Sequence, residues 1–304
     1  SEFMVCEADE FDRSFLALHP VLAVVTNVEA EHLDTYGTLE ALEDAFVSFA
    51  NRVPFYGAAI ACLDDAGVRR ILPKLSRRVI TYGLTPQADV HARAVELTSD
   101  GARCRVVAHG EELGELWVPL PGRHALRNAL AATTAALEVD VAFRDVTAGI
   151  AGFTGVARRF ERKGERDGVV LVDDYAHHPS EVAATLQAAR QAYPTARLVV
   201  VFQPHLFSRT AMFAGEFGDA LLGADLVLVL PIYPAREAPI EGVQHSLVVD
   251  TARRSGHRHV VLCESFDHAL ATLGELLRSG DVLLTLGAGN VVRLGEQWLA
   301  GGKV

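Results

Sequence analysis

From Val169 to Leu299 the chain alternates five apolar, β-branched runs with five segments of helical periodicity, a pattern few folds can satisfy. The strands are expected near 169–173, 197–202, 225–230, 259–263 and 281–286, and the helices near 179–192, 210–222, 246–255, 266–279 and 290–299. A strand that is apolar on both sides must be covered on both sides. The expected arrangement is therefore a doubly wound, mostly parallel α/β sheet. In such sheets ligands bind beyond the carboxyl ends of the strands, beside helix N-termini that favour anionic groups.

The first of these strands runs straight into the densest titratable stretch of the sequence, Asp173-Asp174-Tyr175-Ala176-His177-His178-Pro179-Ser180-Glu181. Pro179 suits the first position of the helix that follows. The stretch reads either as a ligand site or as a hydrogen-bonded strand-to-helix turn. A metallohydrolase built on Asp173, Asp174, His177 and His178 is disfavoured, because adjacent residues rarely all face one metal.

The first half is organised differently. Met4-Val5-Cys6 reads as the end of a strand entering the acidic loop Glu7 to Asp12, and Leu22 to Thr26 as a strand ending in Asn27 to Asp34. Helical periodicity follows from Leu39 to Phe49, then strands over Ala58–Leu63 and Arg78–Tyr82. Hairpins are expected from Val90 to Val118, with turns at Ser99-Asp100-Gly101 and His109-Gly110. Pro121-Gly122-Arg123-His124 opens an alanine-rich helix, Ala125 to Leu137, and a shorter one covers Val146 to Ala151. The Gly- and Arg-rich stretch Gly152 to Gly168 places a domain boundary near Gly155–Arg158, giving domains 1–156 and 157–304. A chain of 304 residues is long enough to expect two.

A net charge of −11, with 28 basic against 39 acidic residues, argues against non-specific binding to nucleic acid or to acidic membrane surfaces. No apolar run approaches membrane-spanning length. Cys6, Cys62, Cys104 and Cys263 form no CxxC pair, so neither a zinc site nor a disulfide framework is indicated, and a reducing, cytoplasmic setting fits. Local arginines still offer sites for anions: Arg158, Arg159 and Arg209 are candidate clamps for carboxylate or phosphate. Glu7 and His32 are candidate ligands for Mg²⁺ or Mn²⁺, for which a carboxylate, an imidazole and waters suffice. Gly287-Ala288-Gly289 is read as a tight turn that packs a helix closely against the sheet. No GxxxxGK[ST] phosphate loop occurs.

Together these residues resemble the Mur ligases, and among them those that add L-alanine to UDP-N-acetylmuramate. The runs that carry the resemblance are Glu7-Ala8-Asp9-Glu10, Thr26-Asn27 through His32-Leu33-Asp34, Pro54-Phe55-Tyr56-Gly57, Gly122-Arg123-His124 with Asn128, Arg158-Arg159-Phe160-Glu161, Asp173 through Glu181, and Phe202-Gln203-Pro204-His205 with Ser208-Arg209-Thr210. They span nearly the whole chain in order. The resemblance implies a central ATPase domain, N-terminally truncated and lacking its phosphate loop, followed by a Rossmann-like C-terminal domain. It implies ATP and Mg²⁺ as cofactors and UDP-N-acetylmuramate and L-alanine as substrates, joined through an acyl phosphate in peptidoglycan precursor synthesis. The 304 residues alone are expected to be inactive, and self-association through the open edge of the first sheet is expected.

By the same resemblance Glu7 and His32 would ligate the metal, His32 also reaching substrate. His124 and Asn128 would contact adenine, Arg159 the phosphates and Asp174 the ribose. His177 and Arg209 would serve the acyl-phosphate and alanine side, with Tyr175 beside them. The sequence departs from the family at Ala125, where Asn is frequent, at Leu206-Phe207, where Arg-Tyr is frequent, and at Asn290, where Asp is usual. Two alternatives stand beside this reading. One is a murein-peptide ligase, disfavoured by the run Gln203 to Thr210; the other is a non-catalytic nucleotide- or partner-binding fragment.

Overall fold

The computed structural model describes residues 3–30, 33–98 and 100–301. The chain forms two compact units, one of Ser1–Leu97 with Gly101–Phe153, the other of Thr154–Val304 with Thr98–Asp100. Each has its own six-stranded sheet.

The first sheet runs in sequence order: β1 (Leu22–Val25), β2 (Ala58–Cys62), β3 (Val79–Gly83), β4 (Val90–Thr98), β5 (Gly101–Ala108) and β6 (Glu111–Val118). β1 to β4 are parallel, and β5 and β6 form an antiparallel hairpin through His109-Gly110. Both hairpin residues take positive φ (50° and 88°), as a two-residue turn matched to strand twist requires. The hairpin expected at His109-Gly110 forms, and through β4 its sheet is continuous with the parallel strands. Helices α1 (Leu33–Tyr36), α2 (Leu39–Ala50), α3 (Ala66–Ile71), α4 (Arg123–Leu137) and α5 (Phe143–Ala151) complete the unit. Leu126 and Leu130 of α4 bury fully against Ile60 and Tyr82 in one core, while Phe15, Leu42 and Phe49 build a second around α2. The strand expected at Met4-Val5-Cys6 does not form. Met4 and Val5 are 89% and 97% exposed, and a strand without a ladder partner leaves its backbone to water.

The second unit carries the sheet β11–β10–β9–β12–β8–β7, built from β7 (Glu161–Arg166), β8 (Val169–Asp174), β9 (Leu198–Phe202), β10 (Leu226–Val229), β11 (Val260–Leu262) and β12 (Val282–Leu286). All pairs are parallel except β7 with β8. Valines and leucines on one side of the strands pack on α6 (Pro179–Ala192), α8 (Ala214–Leu221) and α9 (Ser246–Arg254). Those on the other side pack on α10 (Phe266–Leu276) and α11 (Val291–Leu299). The doubly wound expectation holds. Two local differences have physical causes. β7, Glu-Arg-Lys-Gly-Glu-Arg, has no apolar periodicity, yet it pairs because β8 presents an open edge, and polar side chains suit an outermost strand. The helix expected over 210–222 breaks at Phe213 into α7 (Phe207–Met212) and α8, and begins earlier, after Leu206 at φ 68°.

Candidate functional site

In the second unit β12 lies between β8 and β9, so the carboxyl ends of these three strands are neighbours. The side-chain alternation of β8 sends Asp173 and Asp174 to opposite faces. Asp173, fully buried, lies opposite Thr285 in the ladder and accepts its hydroxyl at 2.6 Å. Its other oxygen accepts Arg158 Nε at 2.9 Å. Arg158 also donates through Nη2 to Gly287 O (2.6 Å) and through Nη1 to Gly289 O (3.2 Å), and its guanidinium lies 4.9 Å from the centre of the Tyr175 ring. One arginine therefore ties the end of β8 to the loop after β12. A Cβ at Gly289 would collide with Gln203 and Tyr233, which supports the close-packing reading of that turn.

Asp174 is 5% exposed and accepts the amides of Phe160 and Ala176, both at 2.8 Å. Burial pushes its carboxyl up to about 6, against the lowering effect of those amides and of Arg159. Arg158 is thus taken up inside the scaffold. Arg159 is different: its side chain is 54% exposed, with one long contact to Glu181 at 3.5 Å and its guanidinium 5.6 Å from the Tyr175 ring. Of the adjacent pair singled out in the sequence, only Arg159 offers its charge outward.

The turn into α6 is closed by a capping box. His178 Nδ1 accepts the Ser180 amide, and Glu181 Oε2 accepts the amides of His178 and His177. Burial works to raise the Glu181 carboxyl, yet His177, the two amides and Arg159 together hold it below its ordinary value. His177 Nδ1 lies 2.9 Å from Tyr175 O and 3.2 Å from Glu181 Oε2. Two acceptors at Nδ1 favour a proton there, which makes Nε2 the basic nitrogen.

Beyond β9, Gln203 turns inward to Asn290 Oδ1 (2.9 Å) and the Val291 amide (3.1 Å), holding the start of α11. Rings then run edge to face from Tyr175 to His177 and on to His205, which stacks on Tyr233. Arg209, 9% exposed, sits under this row with Nη1 3.4 Å from His205 Nδ1. Burial, then the neighbouring His177 and Arg209, lowers His205 to about 4, so its imidazole is neutral near pH 7 and adds no charge to the row. Among the described residues no carboxylate lies within ion-pair distance of Arg209, so a buried cation faces polar rings without a counter-ion. Ser208 ties the start of α7 to Glu237 through its amide and hydroxyl. The sequence did not single out Tyr233 and Glu237. They come from a loop between β10 and α9 that carries no motif, and only the tertiary fold brings them to this edge.

In the first unit a hollow of about 120 Å³ at the carboxyl end of β1 is lined by Glu10, Thr26, Asn27 and Glu29 with apolar Leu42 and Phe46 below. It joins the two polar loops read from the sequence, but through Glu10 and Glu29. Glu7 is exposed, and His32 lies outside the described residues. Among the described residues no three His, Cys, Asp or Glu side chains form a metal-ligand set. Of this candidate metal pair, Glu7 is the member that lies among the described residues. His124, half-buried, and Asn128, exposed, stand one turn apart on α4, on the same side of the helix.

Fold and site define a two-unit α/β protein with its polar groups gathered at strand carboxyl ends. Residues 1–136 match the Mur ligase middle domain and residues 158–289 the Mur ligase glutamate ligase domain. UDP-N-acetylmuramate–L-alanine ligase of Oleidesulfovibrio alaskensis is 50% identical over 300 residues, covering 99% of this chain and 66% of that protein. The enzyme of the same name from Nitratidesulfovibrio vulgaris is 49% identical, covering 99% and 66%. The crystal structure of UDP-N-acetylmuramate-alanine ligase MurC from Thermotoga maritima shares the fold with a TM-score of 0.79 at 22% identity, over 97% of this chain and 62% of that one. The chain belongs to the Mur ligase family. It spans about two thirds of the length of the curated relatives it matches. No helix among the described residues is long and apolar enough to cross a membrane.

Proposed function

We propose that this chain provides the nucleotide- and amino-acid-handling units of an ATP-dependent, cytoplasmic ligase that joins L-alanine to UDP-N-acetylmuramate. The observation that carries the proposal is Arg209: a buried guanidinium with no carboxylate partner among the described residues, held by a neutral imidazole, is a ready site for the carboxylate of an amino acid. The names of relatives at about half identity supply the substrate pair.

In this reading the lactyl carboxylate of the sugar nucleotide attacks the γ-phosphoryl group of ATP, and ADP leaves. Arg209 holds the carboxylate of L-alanine, and His177 Nε2 takes a proton from its ammonium group. The amine then attacks the acyl carbon and phosphate departs, leaving an amide. Arg159, exposed beside Tyr175, would neutralise phosphate oxygens, and His124 with Asn128 would meet the adenine edge. Asp174, whose oxygens hold two backbone amides, would act on the ribose only through its remaining lone pairs and chiefly shapes the loop. Mg²⁺, with Glu7 and His32 as its protein ligands, would screen the phosphates when bound. Catalysis of this kind rests on positioning and charge stabilisation.

The test is calorimetric titration of the protein with L-alanine. Binding that is lost in Arg209→Ala and retained in Arg159→Ala is expected. Binding indifferent to Arg209 would overturn the assignment. Competition by a preformed tripeptide that outbinds L-alanine would favour a murein-peptide ligase instead.

A further inference from the structure

The opposite end of the second sheet holds a hollow of about 850 Å³ that the proposed reaction does not use. It opens at the amino ends of β9, β10 and β11, between the last turns of α6 and α10, and its lining includes Arg190, Arg197, Arg258, Arg278, His259 and Asp225. Strands of four or five residues at ~3.3 Å per residue put it roughly 15 Å from the edge that carries His177 and Arg209.

The charges in this hollow are arranged unequally. Arg190 and Arg197 are fixed in place: the first donates to Asp225 and Ala196 O, both at 2.8 Å, and the second donates through Nε and Nη2 to Asp281 and through Nη2 to Leu276 O. The two carboxylates are already engaged, because Asp225 also accepts the Leu198 amide and Asp281 the Arg278 amide. Arg258 and Arg278 are exposed at the rim, and no carboxylate among the described residues pairs with either side chain. Four guanidinium groups against two engaged carboxylates leave a local positive excess on a chain whose net charge is −11. Such an excess is not needed for folding, since the pairs that brace the sheet are complete without the two rim arginines. Its size is that of a pocket for a nucleotide-sized molecule, and forked guanidinium groups favour planar or tetrahedral oxyanions.

We propose that this hollow binds a small polyphosphate-bearing anion, with Arg258 and Arg278 contacting the phosphates while Arg190 and Arg197 shape the floor. The site is separate from the edge assigned to ligation and does not depend on that assignment. The probe is inorganic tripolyphosphate, titrated into the whole chain at low ionic strength. Saturable binding is expected, weakened roughly 10–100-fold in Arg258→Ala/Arg278→Ala and unchanged in Arg159→Ala/Arg209→Ala. Raising the salt should weaken it further. Because both rim arginines are exposed, the double variant should melt as the wild type does, so a loss of binding reads on the site. Absence of saturable binding overturns the proposal, as does binding that survives in Arg258→Ala/Arg278→Ala. Binding lost instead in Arg159→Ala/Arg209→Ala would place the anion at the ligation edge and also overturn it.

Discussion

Arg209 and Asp174 show how burial prepares single residues for chemistry. A cation held away from water with no carboxylate beside it among the described residues destabilises the unliganded fold, so Arg209→Met, which keeps the aliphatic bulk, should raise unfolding free energy by about 1 kcal/mol in urea titration while abolishing L-alanine binding. A marked loss of stability instead would mean that the guanidinium braces the fold. Asp174 carries a raised carboxyl, from 3.8 to about 6. Between those values the folded state holds a proton that the unfolded state has released. The contribution of Asp174 is therefore complete below pH 3.8 and lost as pH rises through about 6. The stability of wild type relative to Asp174→Asn should accordingly fall between pH 4 and pH 7, by up to roughly 3 kcal/mol. Denaturation curves at several pH values measure it, and a difference that grows with pH would refute the burial argument.

The strand end and the helix start that flank this site are joined by pieces the sequence showed only as neighbours. Arg158 and Arg159 are adjacent and alike, yet one is locked to Asp173, Gly287 and Gly289 while the other faces outward. Arg158→Ala would strand the buried carboxylate of Asp173 and should destabilise the protein by about 3 kcal/mol. Arg159→Ala should change stability by no more than about 0.5 kcal/mol, because its ion pair is exposed and long. Thermal unfolding of the two variants separates the roles, and equal losses would contradict the geometry. At the start of α6, removing the carboxylate in Glu181→Ala takes away the acceptor for two amides and should cost about 1 kcal/mol. Only Pro179, at the first position of the helix, was read from the sequence. Histidine as its capping residue was not, because an imidazole accepts an amide only once the turn has formed.

Across the whole molecule, each unit carries cores made of its own residues: Leu126, Ile60 and Tyr82 in one, Phe217, Leu284 and Leu294 in the other. Residues 154–304 expressed alone should therefore unfold cooperatively, as followed by circular dichroism; a broad, non-cooperative melt would show that this core is not self-sufficient. Much of this plan was legible beforehand. Apolar runs of five residues and helical periodicity depend only on local spacing, so the strands at 169–174, 198–202 and 282–286 fell where periodicity put them. The motifs that carry the family were contiguous, and they too could be read in order. What could not be read was set by pairing and burial. β7 exists because β8 offers an open edge, and the run Met4-Val5-Cys6 is no strand because no strand among the described residues pairs with it. The sequence by itself determined the family and the order of the elements, since both are written in local residue patterns. Which of two arginines braces the sheet, which carboxylate is raised by burial and which buried cation has no carboxylate beside it among the described residues were decided only by the tertiary structure. Charge and solvation depend on what folding brings within a few ångströms, and those neighbours lie far apart along the chain.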